Sequence, residues 1–380
     1  MKTLVIGAGM MGSALAYDLV HSKGVESVTL ADIDLERATS VAKSIGGSIN
    51  AIKLDTGYYD DVVETMQGVD VTAGATSYQH NVLLTKAAIE AGSHFCDLGG
   101  NMDVVGQQLA LSAQAKEADV CIIPNCGLAP GMACAIAGGA ALKFSSVEEI
   151  HIRVGGLPQH PQPPLNYQLV FSAQGLINEY LEPAEVIRNG KLHTVPSMID
   201  CEELEFPKPF GTMEAFNTSG GISTLTRMFN GKAKELDYKT IRYKGHCDKF
   251  KMLLDLGFAG SEPVIVGENV MTTREFFEEL LRKKLPSNGP DVVLMRVVIS
   301  GTMNGSHKTL AYEMIDYYDS TLNMTSMMRT TAFPTSIIAQ MAGNGTIAHR
   351  GVYPPEQCVP LDPFLSELKQ RNIIINETIR

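Results

Sequence analysis

Three glycines and one aspartate are the first residues whose types and spacing imply chemistry. The segment "VIGAGMMGSALAYDL" carries Gly7-x-Gly9-x-x-Gly12, and Asp32 follows 20 residues after Gly12. Placed after an apolar run and before a helical pattern, such glycines have separate tasks. Gly7 allows a sharp turn, Gly9 lets the backbone approach a pyrophosphate, and Gly12 lets the helix pack against the strand. The helix start, with Met10 and Met11, offers unpaired amides and a partial positive charge to phosphates. A carboxylate at Asp32 can hydrogen-bond the adenosine ribose hydroxyls of NAD and repel the 2′-phosphate of NADP. NAD is therefore the expected cofactor. Arg37 would soften that preference, but it lies some way into the next helix.

A second concentration of chemistry is "DYKTIRYKGHCDKF" (237–250), with Lys239, Arg242, Lys244, His246 and Lys249 in a chain of formal net charge −11. A strand over 238–244 puts Tyr238, Thr240, Arg242 and Lys244 on one face, with His246 at its mouth. Arginine suits a carboxylate, which it can grip through two parallel hydrogen bonds. Pattern alone favours a plainer reading, a solvated edge strand whose lysines discourage edge pairing. His246 titrates near neutrality or caps the helix that begins there. Asp97 ends a predicted strand before two glycines, so it is either an acid/base group or a turn and helix-cap residue. Cys126 reads as a small buried residue, since no partner for a nucleophile is visible by spacing.

The elements that must position these residues alternate through the first 125 positions. Strands are predicted at 3–7, 27–32, 50–55, 70–75, 94–100 and 120–125, with helices at 10–20 and 35–44 between the first of them. Alternation of this kind implies parallel βαβ units and a doubly wound sheet, which binds ligands beyond the carboxyl ends of its strands. Asp55, Thr76, Gly99 and Asn125 lie at or just beyond those ends and join Gly7, Gly9, Met10, Met11, Gly12 and Asp32 as expected cofactor contacts. After Asn125 the character changes. The stretch 155–167, "GGLPQHPQPPLNY", is too rich in proline for regular structure. Asn-Gly pairs in 188–191 and 303–306 predict two hairpin turns, the second joining a long antiparallel pair. The expected fold is α/β: a Rossmann-type parallel sheet over 1–125, then an α+β substrate and oligomerisation domain with a largely antiparallel sheet over 126–330. A tail, 331–380, opens with a helix over 326–342, and its packing is open by pattern alone.

Composition narrows the function classes. A hydrophobic fraction of 44% describes an ordinary globular chain. The acidic balance opposes nucleic acid and anionic membrane surfaces as partners. No apolar run reaches the ~18–20 residues of a spanning helix. Seven cysteines without a CxxC pair argue against a disulfide framework or a metal site. With no room for a signal peptide before the first strand, a cytoplasmic location is expected.

The stretches "VIGAGMMG", "VTLADID", "DLGGN", "CGLAPGM", "VGGLP", "EAFNTSGGISTL", "YKTIRYKGH" and "RGVYPPEQ" fall in an order that resembles the saccharopine dehydrogenase-related family, most nearly its branch of lysine 6-dehydrogenases. They run from residue 5 to residue 357. The resemblance implies NAD-dependent oxidative deamination of the lysine ε-amino group, a tail that rejoins the dinucleotide-binding domain, and a homo-oligomer. It turns the cations of 237–250 into candidates to line a substrate cleft, with Arg242 for the α-carboxylate and Thr240 beside it. Thr218 and Ser219 would add polar contacts, and Tyr167 would close over the substrate. Asp97 and His246 are the candidate acid/base groups. Hydride can leave the Cε carbon only from the neutral amine, and exposing that form at pH 7 costs about 4.6 kcal/mol. Two alternatives remain: a saccharopine dehydrogenase-like enzyme acting on a related amino acid, and a non-catalytic NAD-binding protein.

Overall fold

The computed structural model describes residues 1–287 and 289–380, and its chain divides into two compact units. The first comprises Met1–Ser145, Ser223–Leu225 and Met328–Ile375, and the second Ser146–Ile222, Thr226–Met327 and Asn376–Arg380. The first unit thus extends past the boundary expected at 125, because the apolar helix Met132–Ala141 packs within it. The expected tail also divides. Residues to Ile375 belong to the first unit, while Asn376–Ile379 pairs as a strand in the second.

In the first unit β1 (Lys2–Ile6), β2 (Ser27–Asp32), β3 (Ile49–Lys53), β4 (Val71–Gly74), β5 (His94–Asp97) and β6 (Cys121–Ile123) form one parallel sheet. Its order is β3-β2-β1-β4-β5-β6, and Gly351–Val352 adds a seventh strand beside β6. The order reverses between β1 and β4, which is where such sheets open a ligand crevice. Strands β4 and β6 are buried throughout, as covering on both faces requires. Leu4, Ile6, Leu84, Phe95 and Ile122 are among the residues that close the core.

The second unit is built on a nine-stranded mixed sheet among the described residues. Its strands are β7 (Ser146–Pro158), β8 (Ala184–Arg188), β9 (Lys191–Val195), β10 (Glu202–Phe206), β11 (Gly211–Asn217) and β12 (Glu235–Tyr243). After the small hairpin of β13 (Pro263–Val266) and β14 (Asn269–Thr272), which stands apart, β15 (Asp291–Met303) and β16 (Ser306–Tyr317) complete it with Asn376–Ile379. Both Asn-Gly turns form hairpins, closing Arg188 against Lys191 and Met303 against Ser306. The cationic strand departs from the plain reading of its pattern. β12 lies between β11 and β7 and is buried from Leu236 to Arg242, so it is an interior strand rather than a wet edge.

Candidate functional site

The glycine turn of the first unit has the shape a dinucleotide requires. Gly7 adopts φ +106°, and a Cβ there would meet the Ala75 carbonyl oxygen at 2.6 Å. A Cβ on Gly12 would lie 1.7 Å from the Gly7 oxygen, so helix Met10–Val20 (α1) can pack this closely only with glycine. Gly9 faces open space. Its helix carries no side-chain cap and no acid in its first turn, so the amides around Met10 and Met11 are left for an anion. Asp32 is buried, and one oxygen takes the Ala8 amide at 2.6 Å while the other takes the Asp34 amide at 2.9 Å. Those bonds fix the carboxylate at the end of β2. Each oxygen keeps a second lone pair.

Around the adjacent strand ends the structure distinguishes positions that the sequence had grouped. Thr76 Oγ1 and Asn125 Oδ1 are buried without a hydrogen-bond partner among the described residues. Two orphaned polar atoms beyond β4 and β6 fit a cofactor with its own donors and acceptors. Asn125 sits at φ +62° and donates through Nδ2 to Ser223 Oγ at 3.2 Å. Gly99 donates its amide to Asp97, and Asp55 accepts from the Gly57 amide in a turn after β3. Asp97 itself is fully buried and receives Gly99 N at 2.7 Å, Asn125 N at 3.2 Å and Gln108 Nε2 at 2.6 Å. Burial pushes its pKa up, while those donors pull the other way. In this geometry the carboxylate ties three segments together. Cys126 is buried with its thiol pKa raised by burial, as a packing residue requires. Glu356, within the quoted "RGVYPPEQ", is a buried carboxylate that sequence reasoning gave no role. It takes the Thr224 amide and hydroxyl at 3.0 and 2.7 Å on one oxygen, and its other oxygen makes no hydrogen bond among the described residues.

The second unit assembles its cluster from five distant segments. Arg242 on β12 is 2% exposed, and its guanidinium lies 4.7 Å from the Tyr167 ring centroid and 5.7 Å from that of Tyr180. Nε donates to Tyr180 Oη at 2.7 Å and Nη1 to the Ile241 carbonyl at 2.9 Å. Tyr180 Oη in turn lies 3.1 Å from His246 Nε2, and His246 Nδ1 lies 2.9 Å from the Leu165 carbonyl. These contacts form one donor chain. Arginine donates to the phenol, the phenol to Nε2, and Nδ1–H to the backbone, so the imidazole is neutral with its proton on Nδ1. Burial and the Arg242 cation together hold the His246 pKa down to about 3. Both ring nitrogens are occupied, and the histidine positions the tyrosine rather than exchanging protons near neutral pH.

Beside this chain, Glu179 Oε1 accepts from Thr240 Oγ1 at 2.6 Å and Thr218 Oγ1 at 3.2 Å. The two hydroxyls are 2.7 Å apart. Ser219 reaches the group only through its amide, which donates to the Glu179 carbonyl. Tyr167 Oη is buried without a hydrogen-bond partner among the described residues. Burial raises the Tyr167 phenol to about 12 and takes Tyr180 well above its ordinary value, so neither is an anion near neutral pH. Burial opposes the Arg242 charge, but its surroundings, Glu179 among them, more than offset that and raise its pKa. Glu214 supports the cluster from β11. Its carboxylate takes the Gly245 and Cys247 amides at 2.7 and 2.6 Å, capping helix His246–Asp255 in place of a side chain at Gly245.

The other cations of 237–250 are already matched. Lys239 pairs with Glu202, Lys244 with Glu203, and Lys249 donates to the Pro164 carbonyl. Arg153 and Arg188 both hold Asp237, with Glu202 and Glu235 as their second carboxylates. Arg227, Arg274, Arg282 and Arg296 each have a glutamate partner. Among the described residues 146–327, Arg242 is the arginine without a carboxylate bound to it. Sequence reasoning found Arg242, Thr240, Thr218 and Tyr167 but missed Glu179, Tyr180 and Glu214, for which no motif spacing gave a signal.

Two family models cover nearly the whole chain. The saccharopine dehydrogenase NADP binding domain matches residues 3–123, and the saccharopine dehydrogenase C-terminal domain matches residues 127–374. The chain belongs to the saccharopine dehydrogenase family. It is 21% identical to the mitochondrial alpha-aminoadipic semialdehyde synthase of Rattus norvegicus over 99% of this chain and 47% of that protein. Carboxyaminopropylagmatine dehydrogenase of Synechocystis sp. is 20% identical over 100% of this chain and 98% of its own length. This chain spans about half the length of the first curated relatives it matches. Among solved structures, saccharopine dehydrogenase (L-Glu forming) from Saccharomyces cerevisiae superposes with a TM-score of 0.82 at 18% identity, covering 100% of this chain and 99% of that one. The fold is therefore that of the family: a parallel dinucleotide-binding sheet and a mixed, largely antiparallel one. The first unit is an NAD(P)-binding domain. Among the described residues no helix is long and apolar enough to cross a membrane, and no cluster of His, Cys, Asp or Glu could hold a metal ion.

Proposed function

We propose that the chain catalyses NAD-dependent oxidative deamination of the L-lysine ε-amino group. Lysine, NAD and water give 2-aminoadipate 6-semialdehyde, ammonium, NADH and a proton, and the aldehyde closes onto its α-amine as piperideine-6-carboxylate. The observation that carries this reading is the solitary Arg242. Saccharopine presents three carboxylates and calls for several converging arginines. Here Arg153, Arg188 and Arg227 are engaged by acids of the protein, leaving one cation for one carboxylate. An unpartnered Tyr167 hydroxyl beside that cation supplies a second donor.

NAD rather than NADP is supported by charge. Asp32, Asp34 and Glu36 crowd the end of β2, and Arg37 is 3.7 Å from Asp34, whose charge offsets its own. A 2′-phosphate would meet net negative potential there. When bound, NAD would supply the acceptor for the hydride on Cε. Gly7, Gly9, Gly12 and the start of α1 would hold its phosphates, and Asp32 its ribose. Asp97 would position Asn125 and Gly99 beyond the strand ends instead of acting as an acid.

His246 and Asp97, the two candidate acid/base groups, are both held in hydrogen-bond networks, so in this reading neither takes the ammonium proton near neutral pH. The neutral amine must come from solution, so kcat/KM should rise with pH from 7 towards the amine pKa near 10.4. A profile flat across that range would remove this assignment. We extend the proposal to a homo-oligomer, which light scattering of the purified protein would test.

A further inference from the structure

The geometry points to Glu179 as the receptor for the substrate's α-ammonium group, so that the second unit recognises an L-α-amino-acid zwitterion rather than a carboxylate alone. This rests on the reading of Arg242 as the carboxylate site. Arg242 Nη2 and Tyr167 Oη make no hydrogen bond among the described residues, and they belong to groups stacked at 4.7 Å. They are the two donors a carboxylate needs. Glu179 supplies the opposite charge nearby: it accepts from Thr240, which is two residues from Arg242 on β12, and it adjoins Tyr180, to which Arg242 donates. Its Oε1 is held by Thr218 and Thr240, and Oε2 makes no hydrogen bond among the described residues.

Two threonine hydroxyls thus orient a carboxylate that forms no ion pair among the described residues. Its open oxygen is available to an external cation. An ammonium donates three hydrogen bonds, and Glu179 Oε2 with the lone pairs of the two hydroxyls offers a matching set of acceptors. One carboxylate site and one ammonium site fix two of the four substituents on Cα.

The test is titration calorimetry with L-norleucine and hexanoate, with NAD present. Norleucine has the zwitterion and a four-carbon side chain but no second amine to oxidise; hexanoate lacks the α-ammonium. The wild type should bind L-norleucine about tenfold or more tightly than hexanoate, the effect of a charged hydrogen bond. In Glu179→Gln the two acids should bind within about twofold of each other. Tyr167→Phe, which removes only an unpartnered hydroxyl, should weaken both acids equally, and its thermal midpoint should match the wild type. Equal binding of L-norleucine and hexanoate by the wild type, or no binding of either, overturns the inference; so does a Glu179→Gln variant that keeps the full preference. If norleucine binds as stated but lysine is not oxidised, the reaction is wrong and the zwitterion site stands. If lysine is oxidised and Glu179→Gln keeps the preference, the reverse holds.

Discussion

The two halves of the proposed machinery work through different parts of the chain. In the first unit the cofactor cradle is made of backbone: a turn at Gly7, an open approach at Gly9, a bare helix end at Met10, and one carboxylate fixed by amides. In the second unit the substrate cluster is made of side chains. Arg242, Tyr180, Tyr167 and His246 are held in one hydrogen-bonded and stacked group, and Glu179 is held by the hydroxyls of Thr218 and Thr240. Backbone sites depend on the absence of side chains and tolerate little addition. Side-chain sites depend on matched charge, so removing one member leaves another exposed as an unpaired buried group.

The sharpest way to break the first half is Gly12→Ala. A Cβ placed 1.7 Å from the Gly7 carbonyl cannot be absorbed by a rotamer change, since the obstacle is backbone. NAD binding should be abolished, as read by calorimetry, whereas Gly9→Ala, which meets nothing within 4 Å, should leave the fold intact and weaken only the cofactor. For the second half, Arg242→Ala should lower kcat/KM for lysine by about a hundredfold or more, the cost of losing a charge-assisted pair and stranding its partners. NAD affinity should not change. If both variants lost NAD equally, the division of labour between the units would fail.

A smaller effect separates the halves by pH. His246 is neutral in the fold with its pKa held to about 3, against an ordinary value near 6.5. The unfolded chain binds that proton first as pH falls. Its contribution to stability is therefore complete above about pH 6.5 and is lost as pH drops towards 3. Denaturant unfolding of His246→Gln should be less pH-dependent than the wild type in that window. The smallest predicted change is in cofactor choice. Asp32→Ala should narrow the preference for NAD over NADP by about tenfold, measured from the ratio of kcat/KM values.

The same contrast explains what could be read beforehand. The alternation of parallel strands and helices, α1 at its observed bounds, the Asp32 position and both hairpins were legible because short-range periodicity and glycine spacing encode them. The nature of β12 was not. Its lysines suggested a wet edge, but their partners Glu202 and Glu203 lie on another strand, and no local pattern announces a long-range ion pair. Glu179 and Tyr180 meet β12 only because helix Ala173–Leu181 packs there, 61 and 62 positions away in sequence. His246 and Asp97 were legible as titratable groups but not as occupied ones. Whether a histidine is a base depends on what its nitrogens already hold.

The central claim, that this single-arginine site takes lysine and not a tricarboxylate, is tested most directly by NADH absorbance. The purified protein would be assayed with NAD at alkaline pH, with L-lysine in one series and saccharopine in another. NADH formation with lysine and none with saccharopine is the predicted result. Turnover of saccharopine without turnover of lysine would contradict the account.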